Sequence, residues 1–184
     1  MNGPTEESRL VARAKAGDLE AFEELVRQNQ RPLFSYIYRM CGNPAEAEEL
    51  TQAALVRAWL SLKGFRQESS FKTWLYRIGT NLCINRLKRT RPTEELTELL
   101  PAPSINEPAE EHRARVRTEL VQAALNQLPP VQRTALVLLV YDGLSYQEIG
   151  KALNKSVRAV DSLLVRAKTN LRKVLAPVRK KGLI

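Results

Sequence analysis

The chain has 184 residues, of which 43% are apolar and 27% charged, with a net charge of +9, enough core-forming material for one domain or two small ones. No apolar run approaches the ~18 residues that cross a bilayer, which excludes a membrane-inserted protein. The opening MNGPTEESRL lacks the basic-then-apolar pattern of a signal peptide, so the expected location is cytoplasmic. One histidine (His112) and two distant cysteines (Cys41, Cys83) offer no metal-binding cluster, and neither a metal nor a cofactor is expected. The cysteines read as buried reduced thiols, with a bond between them left open.

Charge is uneven along the chain. Residues 1–64 carry 8 basic and 9 acidic side chains, and residues 65–91 carry seven basic and one acidic. Residues 92–112 hold six glutamates and no Lys or Arg, whereas residues 113–184 hold 14 basic and 4 acidic side chains. Two basic blocks separated by an acidic spacer suggest two nucleic-acid contacts joined by a linker that repels nucleic acid.

The first predicted helix runs from about Thr5 to Ala16, with Leu10, Val11 and Ala14 inward and Gly17 as its stop. Asp18 caps a second, containing Phe22, Leu25, Val26, Leu33, Phe34, Ile37 and Met40. Pro32 inside it removes a backbone donor, which predicts a kink or break near Arg31. Asn43-Pro44 restarts the chain as a helix to about Lys63, with early glutamates at the positive end of its dipole. Its apolar face is Leu50, Ala54, Leu55, Ala58, Trp59 and Leu62.

A loop of about five residues then leads to a helix from about Ser70. One stripe holds Phe71, Trp74, Leu75, Ile78 and Leu82; a second, beside it, holds Arg77, Asn81, Asn85 and Lys88. Folding needs the first stripe only. Cations for phosphates, amides for base edges and rings for stacking suit the second to unpaired nucleic acid. Pro92 ends this helix, and Thr93–Pro108 reads as a flexible acidic linker, with a possible turn at Glu94–Leu100.

The C-terminal part restarts near Ala109, with Val116, Leu120, Ala123, Ala124, Leu125 and Leu128 inward. Pro129-Pro130 begins a helix burying Val131, Ala135, Leu136, Leu138, Leu139 and Val140. Ser145 and Glu148 form a capping box for SYQEIGKAL, Asn154 suits a left-handed turn, and Ser156 caps the last long helix. This is a helix-turn-helix with Ile149, Leu153, Val160 and Leu164 between its two helices. Outward candidates on the recognition helix are Ser156, Val157, Arg158, Asp161, Ser162 and Val165. Phosphate clamps would be Lys155, Arg158, Arg166, Lys168, Arg172 and Lys173. The predicted fold is all-α: two small helical domains joined by a flexible acidic linker, at residues 1–91, 92–112 and 113–184.

In this order, AGDLEAFEELV, AEAEELTQAALVRAWLSLKGF, SFKTWLYRIGTNLCINRLKR and LPPVQRTALVLLVYDGLSYQEIGKAL followed by SVRAVDSLLVRAKTNLRK resemble the extracytoplasmic-function (ECF) sigma factors of bacterial RNA polymerase. The resemblance runs from about Leu10 to Leu175. It implies that Glu46, Glu49, Leu50, Gln52, Arg57 and Trp59 dock on the largest subunit of core polymerase. It implies that one flipped base of the −10 element enters a pocket made by Phe65, Arg66, Ser69 and Ser70 with Ile78 and Asn81. Trp74, Tyr76, Arg77, Asn85 and Lys88 would hold the opened strands, whose unpairing costs a few kcal/mol. The helix-turn-helix would read the −35 element as duplex and pack on the second-largest subunit, and an anti-sigma factor is the further implied partner.

Two departures from the family pattern are Ala53 and Leu55, where an acidic and an aromatic residue are usual, and Asp161 and Leu163 in the recognition helix, where basic residues are common. An Asp can accept from a cytosine amino group. The residues alone also admit a stand-alone helix-turn-helix regulator with an N-terminal sensing or dimerising domain. Against an enzyme, no carboxylate pair, Gly-rich phosphate loop or nucleophile with its base is present.

Overall fold

The computed structural model describes residues 5–89 and 109–180. In chain order these form α1 (Glu6–Lys15), α2 (Leu19–Cys41), α3 (Pro44–Ser61), a 3-10 turn (Leu62–Gly64) and α4 (Phe71–Leu87). They continue as α5 (Ala109–Asn126), α6 (Pro130–Val140), α7 (Tyr146–Leu153) and α8 (Val157–Lys180), with no strand among the described residues. The predicted all-α fold is the one observed. The stop at Pro92 and the turn at Glu94–Leu100 fall outside the described residues, and the last four residues of the expected linker, 109–112, already belong to α5.

Helices start where a short polar side chain meets a bare N–H. Thr5 accepts from Ser8 N at 3.2 Å, Asp18 from Ala21 N at 3.1 Å, Asn43 from Glu46 N at 3.0 Å and Ser70 from Thr73 N at 3.1 Å. The Ala21 N–H, helped by Arg13, holds the Asp18 carboxyl below its usual range. Before α7 the capping box is complete: Glu148 N donates to Ser145 Oγ at 3.3 Å, and Ser145 N donates back to Glu148 Oε2 at 2.8 Å.

Pro32 does not break its helix; α2 runs uninterrupted through it. Pro32 and Gln28, whose carbonyl loses its N–H partner, are both exposed, so the lost bond falls on the solvent side of the helix, where it costs least. The α3 helix ends slightly early, at Ser61, and tightens into the 3-10 turn before the loop of residues 65–70. Val140, expected inward, is 61% exposed because α6 ends there.

In the N-terminal half α2 is the central element, packed by α1, α3 and α4; in the C-terminal half α8 packs on α6 and α7. The two halves are packed against each other. Helix α7 lies against α4, α5 and α6 lie against α2, and one apolar cluster continues from Leu25, Ile37 and Leu75 to Leu138, Ile149 and Leu164. Polar contacts reinforce the seam. Tyr76 donates to Asp142 Oδ1 at 2.7 Å, Gln122 Nε2 donates to Arg39 O at 3.1 Å, and the Arg39 guanidinium lies 4.3 Å above the Tyr141 ring.

Arg133 is the most constrained of these seam residues, being 3% exposed. Its Nη1 donates to Met40 O at the end of α2 and to Asn126 Oδ1 at 3.0 Å; its Nη2 donates to Asn126 O at 2.6 Å. One guanidinium thereby ties the α5–α6 turn to the N-terminal half. Loss of water pulls its pKa down to about 10, so it remains charged at neutral pH.

Candidate nucleic-acid interface

The loop of residues 65–70 and the first turns of α4 enclose a cleft of about 470 Å³, lined by Phe65, Arg66, Ser69, Trp74 and Arg77 among others. Phe65 and Trp74 stack with centroids 4.7 Å apart and planes 24° off parallel, and Phe71 closes the cluster 5.7 Å from Trp74. Phe65 and Phe71 are buried, which fixes the half-buried indole at the cleft wall. The cleft thus offers an aromatic wall and two guanidinium-bearing residues to a planar, phosphate-linked ligand.

Three of the expected pocket residues, Phe65, Arg66 and Ser69, line this cleft, and Ser70, Ile78 and Asn81 are not among its lining residues. The Ser70 hydroxyl is occupied as the α4 cap, 2.9 Å from Thr73 Oγ1. Ile78 is half-buried in the apolar cluster, and Asn81 stands exposed farther along α4. Arg77, Asn81, Asn85 and Lys88 form the continuous exposed stripe that their spacing predicts.

Tyr76 corrects the sequence reading. Expected to hold opened strands, it is fully buried, with its ring 5.0 Å from Tyr36 and its hydroxyl on Asp142. Helix α4 buries Thr73, Tyr76, Gly79, Thr80 and Cys83 as well as Phe71, Leu75 and Leu82, because α2 and α3 cover one flank and α7 another. Cys83 is buried and Cys41 half-buried; burial pushes both thiols up, keeping them protonated and poor nucleophiles. The cleft also has two lining residues that the sequence did not point to, Lys151 and Asn154 from the helix-turn-helix, with Lys151 Nζ donating to Glu68 O.

The helix-turn-helix has the predicted geometry. Asn154 is left-handed (φ 53°), and Lys155 N donates to Gly150 O at 2.8 Å. A Cβ on Gly150 would come within 2.7 Å of Lys155 O, so the turn closes only on glycine. Ile149, Val160 and Leu164 are buried between the helices. On the outer face Ser156, Val157, Arg158, Asp161, Ser162 and Val165 are exposed, as are Lys155, Arg166, Lys168, Arg172 and Lys173. Ser156 Oγ is committed to Ala159 N at 3.2 Å and Ser162 Oγ to Arg158 O at 3.1 Å.

A third surface lies on α3. Gln52, Arg57 and Trp59 are exposed, with the Trp59 ring resting 4.9 Å from Phe22. Leu50 is a correction: it is buried, part of the core and not of the outer face. Glu46 is tied to Arg86 at 2.6 Å, and Glu49 reaches the same guanidinium at 3.7 Å. The sequence reading missed Val56 and Leu60, which are 58% and 76% exposed. Their signal was the Gln52, Val56, Leu60 spacing of four, set opposite a face already filled by Ala47, Leu50, Ala54 and Ala58.

The described residues thus combine an aromatic-basic cleft with a helix-turn-helix in one helical fold, the features expected of a nucleic-acid-binding protein. Residues 25–93 match the family Sigma-70 region 2, and residues 118–171 match Sigma-70, region 4. The ECF RNA polymerase sigma factor SigW of Bacillus subtilis is 35% identical, over 91% of this chain and 95% of its own length. The RNA polymerase sigma-H factor of Pseudomonas aeruginosa is 34% identical, over 94% and 95%. Among solved structures, CnrH in complex with the cytosolic domain of CnrY superimposes with a TM-score of 0.72 at 26% identity, over 93% of this chain and 97% of that one. The chain belongs to the ECF sigma factors of bacterial RNA polymerase. It is a transcription-initiation factor.

Proposed function

We propose that this sigma factor divides promoter reading between its two basic blocks. The loop 65–70 and α4 would take unpaired −10 DNA, with one base in the aromatic cleft and the strand along Arg77, Asn81, Asn85 and Lys88. Helix α8 would read −35 duplex with its exposed first turns, and Arg166, Lys168, Arg172 and Lys173 would clamp phosphates. The observation that carries this reading is the stacked Phe65–Trp74 pair lining a cleft beside Arg66 and Arg77, with room for a base. A stacking platform flanked by cations favours single strands, whereas a basic helix presented by a rigid turn favours the major groove.

Core polymerase would dock on α3 through Gln52, Arg57 and Trp59, with Val56 and Leu60 as added apolar anchors. Polymerase supplies the chemistry, so this chain works where polymerase does, in the cytoplasm. With the halves packed together, Lys151 and Asn154 line the base cleft. Reading the −10 strand there requires the helix-turn-helix to withdraw from α4. An anti-sigma partner, the role that the resemblance assigns, would act by holding the halves in this closed form. CnrH, the similar fold above, was solved with another protein bound. We place the functional division at residues 1–91 and 113–184.

The test is run-off transcription from a promoter library with bacterial core polymerase, with and without the protein. Transcripts that depend on the protein and share −10 and −35 elements support the reading. Tight duplex binding by the protein alone, with no complex with core, favours a stand-alone regulator.

A further inference from the structure

The N-terminal helix α1 lies before residue 25, where the region 2 match begins, yet it holds both ends of the base-cleft loop. Lys15 Nζ donates to Phe65 O at 2.9 Å, where the loop starts. Glu7 Oε1 accepts from Phe71 N at 3.0 Å, where the loop ends and α4 begins. Both side chains are half-buried, and both bonds reach across at least fifty residues of sequence. Glu7 also places a negative charge on the positive end of α4 and satisfies an N–H that the Ser70 cap leaves bare.

The loop between these two clamps does not hold itself. Gln67 sits at φ 56°, a left-handed conformation that a non-glycine residue keeps only when its surroundings impose it. Within the loop, the side-chain bond of Ser69 is to its neighbour Ser70 O, at 3.2 Å, which braces nothing. Phe65 and Arg66 follow the Lys15 clamp, and Trp74 follows the Glu7 clamp by one helical turn. The Lys151 bond to Glu68 O leaves with the helix-turn-helix, whereas the two α1 side chains hold both ends of the loop from within the N-terminal half, beside the Phe65–Trp74–Phe71 cluster.

We infer that Glu7 and Lys15 are positioning residues for −10 base recognition: α1 fixes the width and shape of the cleft through the main chain of Phe65 and Phe71. The inference rests on the cleft taking a −10 base. Charge-assisted bonds to main-chain groups are among the stronger ones in partly buried sites, so losing either clamp should be read out as looser discrimination between bases.

The test uses the full-length protein with core polymerase on templates carrying each of the four bases at every −10 position. Lys15→Met and Glu7→Ala should reduce discrimination at one −10 position by roughly tenfold, the scale of one charge-assisted hydrogen bond. Dependence on the −35 sequence and affinity for core should stay unchanged. Lys15→Arg and Glu7→Gln, which keep a donor and an acceptor, should restore the wild-type base profile. A uniform fall at all positions with a lowered melting temperature, or a profile that Lys15→Met and Glu7→Ala leave unchanged, would overturn the inference. Arg66→Ala separates the two readings. If it changes the profile and the α1 variants do not, the positioning role fails alone; if it does not, the cleft is not the base site.

Discussion

The two basic helices are built on opposite plans. Helix α8 is packed along one side, against α6 and α7, and leaves its charged side open to solvent from Arg158 to Lys173. Helix α4 is enclosed between α2 and α3 on one flank and α7 on the other, so that its fully exposed residues are confined to the stripe from Arg77 to Lys88. A one-sided helix presents a broad surface suited to a groove. A helix held along its α2–α3 flank, with its first turn stacked on the loop aromatics, can fix a wall against which a single base fits once the helix-turn-helix has withdrawn. Rigidity suits capture of an unstacked base, and exposure suits duplex.

Removing Arg133 should have the largest effect. Arg133→Met leaves the buried carbonyl of Met40 and the half-buried carbonyl of Asn126 without their donor, at about 1–3 kcal/mol for the first and less for the second, beside the lost packing of the stem. Urea unfolding should therefore show a loss of roughly 3 kcal/mol; a loss below about 1 kcal/mol would mean that the seam does not depend on it.

Next comes Trp74→Ala. Deleting a stacking partner costs about 1–3 kcal/mol per base, so open-complex lifetime should fall roughly tenfold or more. Duplex docking, measured below the temperature of opening, should change far less; equal losses would remove the indole from strand capture. On the other helix, replacing both Arg172 and Lys173 with alanine should lower the slope of log affinity against log salt by about 2. Sequence preference should be retained, and an altered preference would make these residues base readers.

The smallest expected effect is a pH response at the seam. Burial raises the Asp142 pKa against the lowering influence of the Tyr76 hydroxyl, Lys72 and Arg39. The folded state therefore holds its proton more tightly than the unfolded state does. Stability gains as pH falls through the raised folded value and towards the model-peptide value of 3.8. Asp142→Asn should flatten that segment of the stability profile without moving its high-pH limb. An unchanged profile would show that Asp142 does not titrate with folding.

The same contrast explains what could be read in advance. The exposed face of α8 was legible because one apolar stripe and one polar stripe account for the whole helix, and its capping box and left-handed Asn154 are local signals. Tyr76 was misread because its ring packs on Tyr36 of α2 and its hydroxyl on Asp142 in the α6–α7 connection, partners far away in the chain. Leu50 and Leu60 have the same chemistry but lie on different faces of α3; periodicity placed Leu50 inward with Ala54 and Ala58, and the packing of α3 on α2 and α4 buries that face. Lys15 and Glu7 act through main-chain groups of a distant loop, which leaves no mark in local periodicity.

The division of labour can be tested in one crossed measurement: run-off transcription on a duplex promoter and on the same promoter pre-melted across its −10 element. Trp74→Ala should be strongly impaired on the duplex and largely restored on the pre-melted template, because strand capture no longer limits the reaction. The Arg172→Ala, Lys173→Ala double variant should be impaired equally on both. Rescue of both variants, or of neither, would contradict the assignment of unpaired DNA to α4 and duplex DNA to α8.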